Sequence, residues 1–347
     1  MKTLKRILAA TTLLVTLGFA SEANAQVPLE NFFKNPEKAG YQISPDGKYF
    51  SYMAPYENRL NLFVQEVGSD KATRITSETV RDLAGSMWAN GHRILYIKDT
   101  AGDENFQLYG VNVDGTDSKA YTAFPKVRTT IIDPLENIDS LVIIGLNKRN
   151  PQVFDPYRLN LNNGELTQLA ENPGNIQGWM TDHNGKLRVA LAIVDGVNTQ
   201  ILYRETEEQP FRPVLTTNFK ETVSFATFTP DNKMVYALTN IGRDKTALVL
   251  MDPATCEEKE VLYTNDKYDI SGLGYSELKK KLISVSCTGH KGTIRHYFDK
   301  NEEAIRTKLE QKLEGYDINT TSEDKSENIR IISVSYTHLT LPTTPYV

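Results

Sequence analysis

The feature that most constrains this chain is a repeat of about 47 residues. Corresponding positions recur with that spacing at Thr129, Ile176, Val223, Ile270 and Asp317, after two earlier units that begin near Tyr41 and Leu83. A unit of this size cannot bury its apolar surface alone, so neighbouring units have to stack. A period of roughly 40 to 50 residues with strand-like patterning is typical of β-propeller blades.

Within each unit the pattern predicts four strands. A polar turn such as Ser44–Lys48 follows the first strand, and an apolar run such as Leu187–Val194 supplies the second. A third, alternating segment such as Leu108–Val113 ends in another turn. The fourth segment mixes charged and apolar residues, as at Glu258–Leu262, which is typical of an exposed edge strand.

The sequence therefore predicts an all-β fold, a seven-bladed β-propeller of four-stranded blades with six blades and an incomplete seventh. The constant period argues against a long β-sandwich. One helical insertion is predicted near residues 300–314, with Asp299 as N-cap, Glu302 three residues later and Gly315 after its end. We interpret it as a strut over the edge of blade six; docking of another domain is the alternative.

The first 25 residues are predicted to be a bacterial signal peptide. Basic residues precede an apolar stretch of 14 residues, Ile7–Ala20, which is too short to span a bilayer. Cleavage is predicted between Ala25 and Gln26, which gives a periplasmic or secreted protein. Residues 26–40 then form a lead segment, and residues 41–333 form the propeller.

Composition excludes several classes of function. The chain carries a formal net charge of −5, and removing residues 1–25 with Lys2, Lys5, Arg6 and Glu22 changes it to −7. An acidic chain without a basic stripe is a poor binder of nucleic acid or of an anionic membrane. No nucleophile elbow, metal site or cofactor site is predicted, because no G-x-S-x-G, H-E-x-x-H or Walker A pattern occurs.

The two cysteines, Cys256 and Cys287, allow two interpretations. An exported protein could oxidise them to a disulfide, but they occupy different places in their units. Buried free thiols are the alternative, and the sequence alone does not decide between them.

The C-terminal segment is predicted to be of non-biological origin, with a genuine Thr-rich terminus as the alternative. Residues 334–343, VSYTHLTLPT, match an in-frame translation of the adapter used in transposase-based sequencing libraries. We therefore predict that residues 334–347 are a non-native tail and that the propeller is truncated in blade seven.

One segment differs from the regular turns. Residues 145–155, GLNKRNPQVFD, are predicted to form a long polar loop between two strands, with adjacent cations. Asn147, Lys148 and Arg149 are the candidate residues for contact with a substrate carboxylate or a partner domain. A solvated hairpin loop is the alternative.

Two segments resemble a known family. Residues 28–38, PLENFFKNPEK, and 41–48, YQISPDGK, resemble the opening of exported bacterial peptidases of the prolyl oligopeptidase family, in the acylaminoacyl-peptidase-like branch. Residues 146–151, LNKRNP, with Phe154-Asp155 and Tyr157-Arg158-Leu159, are similar to the same branch. The resemblance extends over about residues 28–333.

The resemblance implies a seven-bladed propeller followed by an α/β-hydrolase domain with a Ser, Asp, His triad. In such enzymes the propeller covers the active site and restricts access to short or unstructured peptides. We expect that domain to be absent here, so no catalytic residue is assigned, and the peptide substrate would be bound through the missing domain.

Three functions remain open at this point. The first is the substrate-gating propeller of an exported serine oligopeptidase or acylaminoacyl- or dipeptidyl-peptidase-like hydrolase, inactive on its own. The second is a non-catalytic periplasmic propeller that binds proteins, similar to that of the Tol system. The third is an enzyme acting inside a propeller, such as a glycosidase or lyase, for which no convergent polar groups are evident. The oligomeric state is not predicted.

Overall fold

The structure, a computed structural model, describes residues 28–290 and 292–336. Contacts divide the chain into two units, residues 1–36 and 37–347. In the first unit a short 3₁₀ turn spans Leu29–Phe32, and the amide of Phe33 donates to the Glu30 carbonyl at 3.1 Å. The predicted cleavage site at Ala25 and Gln26 lies outside the described residues.

In the described part of the second unit, seven antiparallel sheets follow one another along the chain. Five have four strands in sequential order. Sheet one is β1 Ala39–Ile43, β2 Tyr49–Tyr56, β3 Arg59–Glu66 and β4 Ala72–Arg74; sheet two is β5 Gly85–Asn90, β6 Arg93–Lys98, β7 Gln107–Asn112 and β8 Lys119–Ala120; sheet three is β9 Thr129–Asp133, β10 Leu141–Asn150, β11 Val153–Asn160 and β12 Leu166–Gln168.

The later sheets keep the same order up to the sixth. Sheet four is β13 Ile176–Thr181, β14 Leu187–Val194, β15 Asn198–Tyr203 and β16 Arg212–Thr217; sheet five is β17 Val223–Phe228, β18 Val235–Thr239, β19 Ala247–Met251 and β20 Glu258–Tyr263; sheet six is β21 Ile270–Ser276, β22 Lys281–Gly289 and β23 Gly292–Tyr297; sheet seven is β24 Tyr316–Glu323 and β25 Arg330–Tyr336. The mostly β architecture confirms the predicted fold class, and each of the seven sheets corresponds to one predicted blade.

Sheet six has three described strands, and the predicted helix follows the third. Helix α1, Lys300–Lys312, follows β23 directly and contacts both β23 and β24. Asp299 caps it as predicted, because its carboxylate accepts from the amides of Asn301 and Glu302. The side chain of Glu302 does not return to the cap and instead pairs with Arg330 on β25 at 2.7 Å, which ties the helix to sheet seven.

The hydrophobic core lies between consecutive sheets. One cluster joins Leu95 and Leu108 of sheet two to Ile144 and Leu159 of sheet three, all at most 1% exposed. Similar clusters join sheets one and two, four and five, and five and six. Each sheet is therefore stabilised by the faces of its neighbours, since apolar surface removed from water is the main favourable contribution to folding.

The last sheet packs against the first. The amide of Ile43 donates to Ser322 Oγ at 3.0 Å, and the amide of Lys325 donates to the Pro45 carbonyl at 2.9 Å. Strands β24 and β1 are also in contact. The seven sheets therefore form a ring, and β24 occupies the inner position of sheet seven.

We predict that the outer edge of sheet seven promotes self-association, because β25 is hydrogen-bonded to a described strand on one side only. Ser333→Lys, near the middle of β25, should raise the concentration at which a protein that contains the whole of β25 associates by at least a few-fold. Sedimentation at several concentrations measures this, with Asn163→Lys on an exposed turn as the charge-matched control. Equal association of both variants would contradict the prediction.

A second prediction concerns pH. Hydrogen bonds from Lys281 and from the amides at the start of α1 lower the pKa of Asp299 from 3.8 to about 2. The ionised cap thus stabilises the fold fully above about pH 4, and this contribution is lost as the pH falls through 2. Asp299→Asn should melt below the wild type at pH 6, and the difference should close near pH 2. A difference in melting temperature that does not change with pH would show that the stabilisation does not come from the ionised Asp299 carboxylate.

Candidate functional site

The topology gives the ring two distinct faces. In each antiparallel sheet the second-to-third hairpin and the connection to the next sheet lie at one end, which we call the hairpin face. The first-to-second and third-to-fourth turns lie at the other end, which we call the turn face. Residues 151–152 belong to the hairpin face, and residues 134–140 belong to the turn face.

Residues 145–155 form a hairpin, so the prediction of a long loop is wrong. Strand β10 continues to Asn150, β11 begins at Val153, and these two residues pair across a two-residue turn. The register shifts between Leu146 and Asn150. The polar residues stay in strands because their side chains replace the hydrogen bonds that the bulge removes from the ladder.

Asn147 is a structural residue of this bulge. It is 8% exposed, its Nδ2 donates to the Pro151 carbonyl at 3.0 Å, and its Oδ1 accepts from the Arg128 amide at 2.6 Å. With its polar atoms occupied in this way, Asn147 holds the hairpin against the connection between sheets two and three.

Arg149 is fixed by a buried carboxylate. Its Nε and Nη2 donate to the two oxygens of Asp155 at 2.9 and 3.0 Å, and Nη2 also donates to the Asn172 carbonyl at 2.7 Å. Asp155 is 0% exposed and accepts from the Asn172 amide at 2.7 Å. The hydrogen bonds with Asp155 raise the pKa of Arg149. This network locks the hairpin to the connection between sheets three and four.

Lys148 is an exposed cation of the segment, and unlike Arg149 it has no carboxylate partner in an ion pair within the described residues. Its Nζ lies 4.4 Å from the centre of the Phe124 ring, a cation–π distance. The structure thus brings the three predicted residues together on the hairpin face but gives them different environments. Asn147 and Arg149 maintain the backbone, while Lys148 presents its charge to solvent.

The cysteines are free thiols in the structure. Cys256 lies in the turn after β19 and Cys287 is buried in β22. Burial raises the pKa of the Cys256 thiol to about 11 and also raises the pKa of Cys287. Both groups are therefore protonated and weakly nucleophilic at neutral pH.

The turn face contains a cavity that the sequence did not indicate. It has a volume of about 350 Å³, and its wall includes Asp133, Glu136, Trp179, His183 and Glu277. Packing around the Glu136 carboxyl, with the nearby charges of Asp133 and Glu277, raises the pKa of Glu136, whereas Lys325 acts in the opposite direction. Within residues 28–290 and 292–336, no group of three His, Cys, Asp or Glu residues is arranged to hold a metal ion.

His183 joins three sheets at this cavity. Its Nε2 lies 2.9 Å from the Phe228 carbonyl, its Nδ1 lies 3.4 Å from Glu277, and its ring stacks on Tyr275 at 5.5 Å. Burial raises the pKa of Tyr275 to about 12. These contacts are structural cross-links between sheets four, five and six.

One available signal for this region was the length of a turn. The turn between β9 and β10 has seven residues, 134–140, whereas the corresponding turn of sheet one has five, 44–48. It also contains two apolar residues, Leu135 and Ile138.

We predict that Asp155 is needed for stability and that Lys148 is not. Asp155→Ala leaves the buried Asn172 amide without its acceptor and removes two of the hydrogen bonds of Arg149, and should cost about 1 to 3 kcal/mol of unfolding free energy. Lys148→Ala should leave the urea midpoint unchanged. Equal midpoints for wild type and Asp155→Ala would contradict the structural role of this network.

In the part of the chain that the structure describes, no helix is long and apolar enough to cross a membrane. No family model matches the chain.

Two curated proteins are similar in sequence. Dipeptidyl aminopeptidase BIII of Pseudoxanthomonas mexicana is 30% identical over 291 residues, which cover 81% of this chain and 40% of that protein. Dipeptidyl peptidase family member 6 of Caenorhabditis elegans is 27% identical over 299 residues, which cover 80% of this chain and 40% of that protein. The chain thus spans about two fifths of the length of both relatives.

A solved prolyl endopeptidase structure has the same fold. It matches with a TM-score of 0.55 and 12% identity, over 82% of this chain and 46% of that one. At this identity the likeness concerns the fold alone, while the sequence relation comes from the dipeptidyl peptidases. From these two findings together, the chain is a β-propeller of the prolyl oligopeptidase family.

Proposed function

We propose that this chain is the substrate-gating propeller of an exported serine peptidase that removes dipeptides from the N-termini of peptides. The observation that carries the proposal is the match to a dipeptidyl aminopeptidase along 81% of the chain. The sequence contains no G-x-S-x-G nucleophile motif, so we assign the chemistry to a hydrolase domain and not to the propeller.

The hairpin face is the proposed docking surface for that domain. Strand β1 runs from Ala39 to Ile43 and leads into the turn at 44–48 on the turn face, so a chain that enters the ring arrives at the hairpin face. Lys148 offers an exposed cation there, on a hairpin that Asp155 and Asn147 hold in place. We assign Lys148 to a carboxylate of the peptide or of the docked domain.

Export is part of the proposal. The basic start, the 14-residue apolar stretch and the small residues before Gln26 support cleavage by a signal peptidase and a location in the periplasm or outside the cell. N-terminal sequencing of the protein recovered from the periplasm of a bacterial host tests this, with Gln26 as the expected first residue.

The function is tested by comparing two proteins. The first is residues 26–333 alone, and the second is the complete polypeptide encoded at the genomic locus. We expect the complete protein to hydrolyse dipeptidyl p-nitroanilides and residues 26–333 to show no hydrolysis, because the nucleophile is not in the propeller. A genomic reading frame that stops soon after the seventh sheet, or a full-length protein without peptidase activity, would favour a binding propeller of the Tol type instead.

Lys148 gives a sharper prediction in the complete enzyme. Lys148→Ala should raise KM by about 3- to 10-fold with kcat little changed, because the charge contributes to binding and not to bond cleavage. Lys126→Ala, another exposed lysine of the preceding connection, is the matched control. Unchanged KM in Lys148→Ala would remove Lys148 from the substrate path.

A further inference from the structure

The turn at residues 134–140 reaches across the ring. It begins after the inner strand β9 of sheet three, and its tip contacts sheets that lie on the opposite side. Asn137 Nδ2 donates to Glu277 of sheet six at 3.0 Å, and Lys325 of sheet seven donates to Asp139 at 2.7 Å. In a ring of seven, the sixth and seventh sheets face the third, so these contacts require the turn to lie over the central axis.

The base of the turn is anchored firmly. Leu135 is 7% exposed, and its amide donates to Asp133 Oδ1 at 2.8 Å. The amide of Ile138 donates to the Leu135 carbonyl at 2.7 Å, which closes a compact loop. Leu135 and Ile138 lie directly over Gly185, where a Cβ atom would meet them at 3.1 to 3.2 Å.

The tip is held differently. Side-chain exposure is 64% for Asp139, 41% for Lys325 and 41% for Glu277, so solvent screens these interactions. Exposed ion pairs of this kind contribute little individually. The Asp139 carbonyl also accepts from Asn90 Nδ2 at 3.2 Å. A buried base and a weakly held tip are the features of an element that can swing at one end while its attachment stays intact.

We infer that residues 134–140 form a plug that closes the turn-face mouth of the ring and is latched by Lys325 and Glu277. Residues 134–138 of this turn form one wall of the cavity of about 350 Å³, and Trp179 lies on another part of its lining. For substrate access this inference rests on the proposed function. With the plug latched, a peptide reaches the interior of the ring only from the hairpin face. The plug therefore prevents peptides from entering through the turn face.

The first test measures where the tip lies. Asn137→Cys with Glu277→Cys, in a Cys256→Ala and Cys287→Ala background, should be cross-linked by a short bismaleimide and migrate differently on a denaturing gel. Asn137→Cys with Asn163→Cys is the control, because Asn163 lies on an outer turn of the same face. Cross-linking of both pairs, or of neither, would overturn the position of the plug.

The second test measures whether the plug shields what lies beneath it. The chain has two tryptophans, and Trp88→Phe leaves Trp179 as the remaining fluorophore. Adding Asp139→Asn and Asn137→Ala to that variant should raise the acrylamide quenching constant of Trp179 by about twofold, because the tip is released. Thr116→Ala on an outer turn serves as the control. Identical quenching in all variants would exclude a plug that covers the cavity.

These tests need no peptidase activity, so they separate the two ideas. Failure of cross-linking and quenching would overturn the plug and leave the proposed peptidase intact. Loss of the peptidase proposal, through an inactive full-length protein, would leave the closed mouth but remove its role in substrate access.

Discussion

Burial of apolar surface between consecutive sheets is the interaction on which the rest of this structure depends. The cluster that contains Leu95 and Ile144 and the cluster around Val249 each draw residues from two neighbouring sheets. A linear stack would leave one face of the first and last sheets in water. Contact between β1 and β24 covers these two faces and closes the stack of sheets into a ring. The ring in turn creates two faces, the hairpin face and the turn face.

Much of the fold followed from the sequence because the repeat reports directly on the inner strands. Four of the predicted starting positions, Thr129, Ile176, Val223 and Ile270, are the first residues of β9, β13, β17 and β21. The family was also predicted correctly. The helix was predicted from its cap at Asp299, although the same signal did not show that α1 replaces a strand. The periodicity shows what neighbouring units have in common. It cannot show that one unit has a helix where the other units have a strand.

The candidate site was less predictable, because its contacts join residues far apart in the sequence. The charges at residues 148–149 indicated an exposed loop, but the carboxylate of Asp155 and the backbone of Asn172 convert it into a hairpin. The role of Asn147, Lys148 and Arg149 toward a substrate or domain stays a prediction. The turn at 134–140 was missed for a related reason. Its partners, Glu277 and Lys325, follow Asn137 and Asp139 by 140 and 186 residues, a separation that no local pattern encodes.

The contact that closes the ring also sets the order of events during synthesis. Ile43 and Ser322 are 279 residues apart, so at ordinary rates of translation the first sheet waits roughly tens of seconds for its last neighbour. Throughout that interval its outer face lacks the neighbour it has in the closed ring. Pairings of such long range are slow to form, since the entropy of closing the loop is lost before the contact is gained. A chaperone that binds nascent chains would therefore bind sheet one, and it would be released when β24 packs against that sheet.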